Sequence, residues 1–227
     1  TAKETGVELF VLDDGWFGER SNEHAGLGDW FANTKRLPQG ITGLSKKIGE
    51  IGMKFGLWFE PEMVNKDSDL YRQHPDWIIA APERRQSHGR FQYVLDFSRT
   101  EVVDYIYSMM ETLLSDADIS YIKWDMNRSI TECFSNTLPA DRQGEVYHRY
   151  ILGVYELYER LIGRFPQILF ESCASGGGRF DPGMLYYAPQ GWTSDDTDAM
   201  ERLKIQYGTS YCYPVSSMGS HVSVTPN

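Results

Sequence analysis

Short apolar runs alternate with stretches in which apolar residues recur at helical spacing. The apolar runs at 7–12, 55–59, 119–123, 167–170 and 191–193 are rich in β-prone residues and predict buried strands. The segments between them carry apolar residues three or four positions apart, which is typical of amphipathic helices. This β–α–β–α order predicts a parallel sheet covered by helices, and therefore an α/β fold.

Four helices and two further strands complete the expected elements. The helices are expected near residues 44–52, 102–114, 144–163 and 199–208. A minor strand is expected at 92–95 and a sixth main strand at 211–216. Ser98-Arg99-Thr100-Glu101 has the S-x-x-E form of a capping box and predicts where the second helix begins. The polar segments at 17–42 and 64–90 predict long loops. Since no Pro/Gly/Ser-rich linker divides the chain, residues 1–227 are predicted to form one domain.

Composition and charge exclude several kinds of protein. The chain carries 41% hydrophobic and 24% charged residues, enough apolar side chain for a core. Its formal net charge of −10 disfavours binding to nucleic acid or to an anionic membrane surface. No apolar window approaches the length of a membrane-spanning helix. We therefore expect neither a nucleic-acid nor a membrane partner.

Cysteine and histidine spacing argues against disulfides, zinc and cofactors. The three cysteines, Cys133, Cys173 and Cys212, are odd in number and show no CxxC spacing, which fits a reducing, cytoplasmic location. The histidines are not paired as in HExxH sites, and the glycine run at 176–178 is not a GxGxxG or P-loop signature. We expect no cofactor and no zinc.

Polar side chains collect where the predicted strands end. They are Asp13, Asp14, Glu60, Lys123, Asp125, Asn127, Cys173, Asp195 and Asp196. The carboxyl ends of parallel strands open on one face, which carries the active site in (β/α)8 barrels. A doubly wound sheet would place a ligand at the same ends, although it usually has a glycine-rich phosphate loop. A (β/α)8 barrel is the favoured architecture.

Asp125 is the candidate nucleophile. Lys123, Asp125 and Asn127 alternate along one strand and so share a face. A cation two residues away favours the ionised carboxylate, as a nucleophile requires. The alternative is a structural ion pair at the barrel rim.

Asp195 is the candidate proton donor. It lies in an acidic run at 192–198, whose alternative role is to cap the following helix. A second carboxylate such as Asp125 nearby would raise its pKa and keep it protonated. Two carboxyls on different strand ends indicate a glycosidase, and retaining enzymes hold the pair ~5–5.5 Å apart.

Tryptophan residues and further carboxylates lie near this pair in the predicted fold. Trp16, Trp58 and Trp192 lie beside the acidic strand ends, where they would either pack against sugar faces or belong to the core. A magnesium site built from carboxylates also stays open at this stage. Its ligands would be Asp13, Asp14, Glu60 and Asp125.

Five motifs resemble the α-galactosidases of glycoside hydrolase family 36. They are Phe-Val-Leu-Asp-Asp-Gly-Trp-Phe-Gly at 10–18, Gly-Leu-Trp-Phe-Glu-Pro-Glu-Met-Val at 56–64, Tyr-Ile-Lys-Trp-Asp-Met-Asn-Arg at 121–128, Glu-Ser-Cys-Ala-Ser-Gly-Gly-Gly-Arg-Phe-Asp at 171–181 and Trp-Thr-Ser-Asp-Asp-Thr-Asp-Ala at 192–199. They occur in the family's order and cover nearly the whole chain. The resemblance implies a retaining enzyme that hydrolyses terminal α-galactosides of the melibiose and raffinose type.

The resemblance also assigns roles to individual residues. It makes Asp125 the nucleophile and Asp195 the acid/base, with Asp196 and Asp198 as the nearest rivals of Asp195. The implied sugar contacts are Asp13 and Asp14 to the 4- and 6-hydroxyls, Lys123 to the 3- and 4-hydroxyls, Cys173 and Gly176 near the 2-hydroxyl with Asn127 nearby, and Trp58 and Arg90 along the pocket wall. The expected partner is thus a galactoside substrate, and no metal is implied.

Measured against this family, the chain is expected to hold strands two to seven of the barrel, without the first and last. Its two open sheet edges would leave the isolated segment poorly stable and weakly active. Formation of a homo-oligomer by the parent protein stays open. Three readings compete with the α-galactosidase: an α-N-acetylgalactosaminidase, a transglycosylase, and a fragment that binds sugar without hydrolysis.

Overall fold

The structure, a computed structural model, describes residues 2–223. In chain order its elements are β1 (Leu9–Leu12), α1 (Gly40–Glu50), β2 (Lys54–Phe59), β3 (Met63–Val64), α2 (Asp69–Gln73), β4 (Tyr93–Val94), α3 (Thr100–Asp116), β5 (Tyr121–Trp124), α4 (Val146–Arg164), β6 (Leu169–Ser172), α5 (Pro182–Tyr187), β7 (Gln190–Trp192), α6 (Ala199–Ser210) and β8 (Met218–Gly219). Short 3₁₀ turns occur at Pro75–Trp77, Ala140–Glu145 and Val215–Ser217.

Six strands form one parallel sheet in the order β1-β2-β5-β6-β7-β8. Each neighbouring pair is parallel, so all six carboxyl ends open on the same face. The strands pair so that Trp58 lies beside Lys123 and Lys123 beside Glu171. The α/β prediction is confirmed, and an open parallel sheet with β1 and β8 at its edges is consistent with an incomplete barrel.

Helix α4 packs against the sheet through its apolar stripe. Trp124 is fully buried, and its ring stacks on Tyr158 with centroids 4.0 Å apart. Gly153 lets this helix approach the segment after β4, since a Cβ there would lie 1.9 Å from the Phe97 carbonyl oxygen. Each buried aromatic or aliphatic side chain of this kind contributes about 1.5–3 kcal/mol.

Two sequence predictions about local structure are wrong. The sixth strand lies at Met218–Gly219 rather than at 211–216, because Pro214 lacks an N–H and begins a 3₁₀ turn. The capping box does not form: Arg99 is the N-cap of α3, and the Ser98 hydroxyl instead donates to Asp96 at 2.5 Å.

The predicted loop at 64–90 contains the short helix α2, which Ser68 caps. The minor strand predicted at 92–95 is confirmed as β4, which forms a small antiparallel pair with β3. Asp181 caps α5 by accepting from the backbone N–H groups of Gly183 and Met184. The three cysteines form no disulfide. Among residues 2–223, no helix is long and apolar enough to cross a membrane.

Candidate active site

The polar residues singled out in the sequence follow the carboxyl ends of the parallel strands. Asp13 and Asp14 follow β1, and Glu60 follows β2. Asp125 and Asn127 follow β5, Cys173 and Gly176 follow β6, and Asp195 follows β7. All of these groups therefore lie at the edge of the sheet formed by the carboxyl ends of its strands, as the strand pattern predicts.

Asp125 is buried and held by three backbone and side-chain contacts. Its backbone N–H donates to the Phe59 carbonyl at 2.8 Å, which continues the β2–β5 pairing by one residue. Oδ2 accepts from the Trp58 indole at 3.1 Å, and Oδ1 accepts from the Met126 N–H at 2.9 Å. Both oxygens thus accept a hydrogen bond, which fixes the orientation of the carboxyl group.

Glu60 is a buried acid close to Asp125. Burial, and secondarily the charge of Asp125, raise the pKa of Glu60 from its ordinary 4.5 to about 8. Its carboxyl accepts from the Asn127 N–H at 2.5 Å and from the Gln92 amide at 2.9 Å. A neutral Glu60 therefore supports the loop after β5 without a second negative charge beside Asp125.

This raised pKa of Glu60 has a consequence for stability. Between pH 4.5 and 8 the folded protein keeps a proton on Glu60 that the unfolded chain has lost, so raising the pH favours unfolding. We expect the free energy of unfolding to fall over this range more steeply in wild type than in Glu60→Gln, as measured by denaturant titration at several pH values. Equal slopes in the two proteins would show that Glu60 does not hold the proton.

The thiol of Cys173 lies beside the same carboxylate. Burial and the charge of Asp125 raise the pKa of the Cys173 thiol, so it stays protonated. The Cys173 backbone N–H donates to the Trp124 carbonyl at 2.8 Å, which ties the loop after β6 to β5. A protonated thiol on a backbone that is held in place can donate a hydrogen bond but is a poor nucleophile.

Lys123 connects β1 to β7. Its ammonium lies 3.1 Å from Asp13 and 5.2 Å from the centroid of the Trp192 ring. Burial alone would lower the pKa of Lys123, but the carboxylate of Asp13 outweighs it and the net shift is upward. The sequence placed Lys123 beside Asp125 on one strand face; the ion pair in the structure is with Asp13.

Asp195 is exposed and accepts from the Trp192 indole at 3.0 Å. It does not cap the following helix. That role falls to Asp198, whose Oδ1 accepts from the backbone N–H groups of Met200 and Glu201. The cap alternative is therefore wrong for Asp195.

The two rivals of Asp195 are both engaged in this turn. Oδ1 of Asp196 accepts from the Asp198 N–H at 2.9 Å, and the Asp196 N–H donates to the Ser194 hydroxyl at 3.0 Å. Local turn and capping bonds thus orient Asp196 and Asp198, whereas Asp195 bonds to the tryptophan of its own strand.

Gly176 brings the loops after β6 and β7 together. It forms an isolated antiparallel bridge with Ser194. Its φ of +84° favours glycine, and a Cβ would lie 2.6 Å from the Ser194 Cα. The backbone beside Asp195 therefore rests directly on the loop that carries Cys173.

Arg20 is a site residue that the sequence interpretation missed. It is buried and forms a two-pronged ion pair with Asp14, at 2.9 Å from Nε to Oδ1 and 2.7 Å from the terminal nitrogen to Oδ2. Arg20 also donates to the Ala25 carbonyl and to Asn65. It lies in a segment without periodicity, so only the fold could identify it.

The remaining predicted site residues differ in their burial and in their contacts with the residues described above. Trp58 is buried, and its carbonyl accepts from the Trp16 indole at 2.9 Å, so Trp16 belongs to the core. Asn127 accepts from the Ser175 hydroxyl at 3.0 Å. Arg90 is exposed and has a left-handed φ of +50°. Its positive charge opposes the rise in the pKa of Glu60.

Metal binding finds no support in this geometry. In residues 2–223, no group of three or more His, Cys, Asp or Glu side chains is arranged to hold a metal ion. Of the four carboxylates in the magnesium alternative, Asp14 is bound by Arg20, Asp13 by Lys123, and Glu60 by two N–H donors. A metal ion at Asp13 or Asp14 would therefore be repelled by the positive charge of Lys123 or Arg20.

Beneath the strand ends lies a buried ion pair. Glu62, fully buried, accepts two hydrogen bonds from Arg179, each at 2.8 Å, and one from the Trp124 indole at 2.8 Å. The Tyr150 hydroxyl also donates to Glu62. The pair fastens the glycine-rich loop after β6 to the β2–β3 turn.

Comparison with known proteins identifies the family. The melibiase family model matches residues 1–227. The chain is 59% identical over 227 residues to α-galactosidase AgaA of Geobacillus stearothermophilus and 55% identical over 226 residues to α-galactosidase Mel36A of Lactobacillus acidophilus. Each alignment covers 100% of this chain and 31% of the relative.

Solved structures of such enzymes have the same fold. The crystal structure of the family 36 α-galactosidase AgaA superposes with a TM-score of 0.97 over 100% of this chain and 32% of its own. An α-galactosidase from Lactobacillus brevis gives 0.98 at 61% identity, over 100% of this chain and 30% of its own. The chain thus spans about a third of the length of these relatives. Because the family model matches all of residues 1–227 and the identity extends over the whole chain, this chain belongs to the melibiase family, as its resemblance to glycoside hydrolase family 36 predicted.

Proposed function

We propose that this chain is the catalytic barrel portion of a retaining α-galactosidase that hydrolyses terminal α-galactosides of the raffinose type. The observation that carries the proposal is the match of the whole chain to relatives named α-galactosidases, with Asp125 and Asp195 following strands of one parallel sheet. Variants of AgaA have been solved in complex with raffinose and with stachyose, which supports an oligosaccharide substrate.

Asp125 is the nucleophile in this proposal. Its carboxylate attacks the anomeric carbon of the galactosyl group and forms a covalent intermediate. The Trp58 and Met126 donors fix the carboxylate, and the thiol of Cys173 and the neutral Glu60 add no negative charge next to it. A fixed, ionised group in a largely dry site is the form that the first displacement requires.

Asp195 is the acid/base. It protonates the glycosidic oxygen as the leaving sugar departs, and then takes a proton from the water that hydrolyses the intermediate. In AgaA the two aspartates replaced in the stachyose and raffinose complexes are 70 positions apart, the same separation as Asp125 and Asp195. Replacing a catalytic carboxylate is a way to hold an unhydrolysed substrate, so this spacing supports both assignments.

The sugar itself is bound by the surrounding polar groups. Asp13 and Asp14 accept from the 4- and 6-hydroxyls and are oriented by Lys123 and Arg20. Lys123 also reaches the 3- and 4-hydroxyls, and Trp58 and Arg90 line the pocket. Near the 2-hydroxyl lie Cys173, Gly176 and Asn127.

The extent of the barrel is part of the same proposal. The six parallel strands are strands two to seven of an eight-stranded barrel, in which β1 and β8 would each pair with a strand outside this chain. The activity then belongs to the whole protein that carries residues 1–227, and that protein is the one to assay.

The test follows the first product of raffinose hydrolysis. Retention predicts that the α-anomer of galactose appears first by proton NMR, before mutarotation. Appearance of β-galactose first would overturn the retaining mechanism, and turnover only of α-N-acetylgalactosaminides would reassign the sugar. Predominant transfer to sugar acceptors would indicate a transglycosylase, and galactose binding without turnover would indicate a binding module.

The same assay tests the role of Asp195. In Asp195→Asn, kcat/KM for raffinose is expected to fall roughly 10²- to 10⁴-fold, because the sugar leaving group needs a proton. For a nitrophenyl α-galactoside, whose leaving group needs little protonation, the loss in kcat/KM should be far smaller. The matched control is Asp196→Asn. Equal losses for both substrates, or a larger effect in the control, would remove Asp195 from this role.

A further inference from the structure

Trp192 is the side chain that contacts Asp195, and its indole is held on several sides. Its N–H donates to Asp195 at 3.0 Å, and the Lys123 ammonium lies 5.2 Å from its ring centroid. The backbone of Gly219 also approaches it, since a Cβ there would lie 2.9 Å from the indole Cε3. The orientation of Asp195 therefore depends on how this indole is fixed.

His221 makes an aromatic stacking contact with that indole. The two rings stack with centroids 4.3 Å apart and an interplanar angle of 15°. Offset stacking of this kind contributes about 0.5–1.5 kcal/mol beyond the buried area. His221 follows β8, so the contact joins the last strand of the sheet to the strand that precedes Asp195.

The ring nitrogens of His221 are not used to hold it. Both are buried, and neither has a hydrogen-bond partner within residues 2–223. The ring is therefore fixed by its face, through Trp192, rather than by its polar atoms. An aromatic face at this position is what the packing requires.

The groups that face His221 keep it uncharged. Burial lowers the pKa of His221, the cation Arg202 of α6 and Lys123 of β5 lower it further, and Asp195 opposes them. A neutral ring adds no positive charge that would draw the proton from Asp195. Arg202 is itself anchored, donating to the Ser194 carbonyl at 3.0 Å and to the Thr193 hydroxyl at 2.9 Å.

We propose that His221 is a positioning residue for the acid/base: by stacking on Trp192 it fixes the indole N–H that orients the carboxyl of Asp195. The inference rests on the proposed function for its kinetic consequence, but the contact itself can be tested independently. His221 acts through Trp192 and does not touch the reacting atoms.

The central comparison is between His221→Leu and His221→Phe in the whole protein. Leucine removes the aromatic face, so kcat/KM for raffinose should fall roughly 10-fold, while kcat/KM for a nitrophenyl α-galactoside stays within about twofold. Phenylalanine keeps an uncharged aromatic face and should retain both values within about twofold. His221→Gln is a second non-aromatic variant with the same expectation as leucine.

The pH profile gives a second readout. The alkaline limb of kcat/KM reports the loss of the proton from a general acid, and an N–H donor stabilises the ionised form of a carboxyl group. The alkaline limb of kcat/KM should therefore move to higher pH in His221→Leu, move further in Trp192→Phe, and stay in place in His221→Phe. A structural role alone would lower activity on both substrates without moving this limb.

A spectroscopic readout separates this inference from the proposed function. The indole N–H resonance of Trp192, assigned from its loss in Trp192→Phe, should shift in His221→Leu and keep its position in His221→Phe. An unchanged resonance in His221→Leu, or phenylalanine as impaired as leucine, would overturn the inference. Absence of hydrolysis by wild type would instead overturn the proposed function and leave this resonance test in force.

Discussion

Asp125→Ala is expected to lower the hydrolysis of α-galactosides by roughly 10⁴-fold or more, because losing a nucleophile removes the covalent route. Azide should restore part of the turnover, since the cavity left by the carboxylate admits a small anion on the same face of the sugar. The rescued product should be β-galactosyl azide. The measurement is product analysis by NMR with and without azide.

The matched control for this experiment lies at the other end of the same strand. Asp118 precedes β5 and is exposed, so Asp118→Ala should retain wild-type turnover. If Asp125→Ala keeps its activity, or if azide yields the α-azide, Asp125 is not the nucleophile.

Replacing Glu62 by leucine is expected to destabilise the protein by about 3–5 kcal/mol, because Arg179 would remain as an uncompensated buried charge. Its guanidinium would lose both bonds to Glu62, each at 2.8 Å, while its side chain is only 10% exposed. The measurement is denaturant unfolding of the whole protein, monitored by the signal of the tryptophans in the barrel.

Two further variants make this result interpretable. Glu62→Leu combined with Arg179→Met should recover much of the loss, since a buried ion pair replaced by apolar groups of similar volume is often neutral. Glu111→Leu breaks an exposed contact with Arg164 and should cost no more than about 1 kcal/mol. A Glu62 single variant as mild as this exposed control would refute the buried-charge argument.

The sheet was predictable from the sequence because its signal is local. Each parallel strand is a short apolar run followed at once by polar residues, and five of the six strands overlap the predicted runs. The sixth strand was misplaced because it comprises only Met218 and Gly219, which is too short for alternation to show. Its position is fixed by pairing with β7, a contact between distant parts of the chain.

The placement of the catalytic candidates was predictable, but their environments were not. Asp125 directly follows a strand, so the strand pattern alone was enough to predict that it lies at the carboxyl ends of the sheet. The partner of Lys123 was not predictable, since Asp13 is 110 residues away in sequence. The same holds for Glu60, whose raised pKa arises from burial and from a carboxylate on a neighbouring strand.

The acidic run after β7 shows where spacing alone is insufficient. Asp195, Asp196 and Asp198 are chemically equivalent in the sequence, and any of them could cap a helix. The structure separates them by their hydrogen-bond donors. Asp198 accepts from backbone N–H groups of the helix, whereas Asp195 accepts from the indole N–H of Trp192. The motif resemblance assigns the acid/base role to Asp195, which stays a prediction; the hydrogen bonds show only that Asp195 does not cap the helix.

The bridge between Gly176 and Ser194 means that the loops after β6 and β7 share one mechanical support. The loop that carries Cys173 and the loop that carries Asp195 meet backbone to backbone, with no side chain between them to absorb a displacement. A bulkier residue at position 176 would therefore displace the backbone of Ser194 and Asp195. The position of Asp195 is thus constrained by a residue that has no side chain of its own.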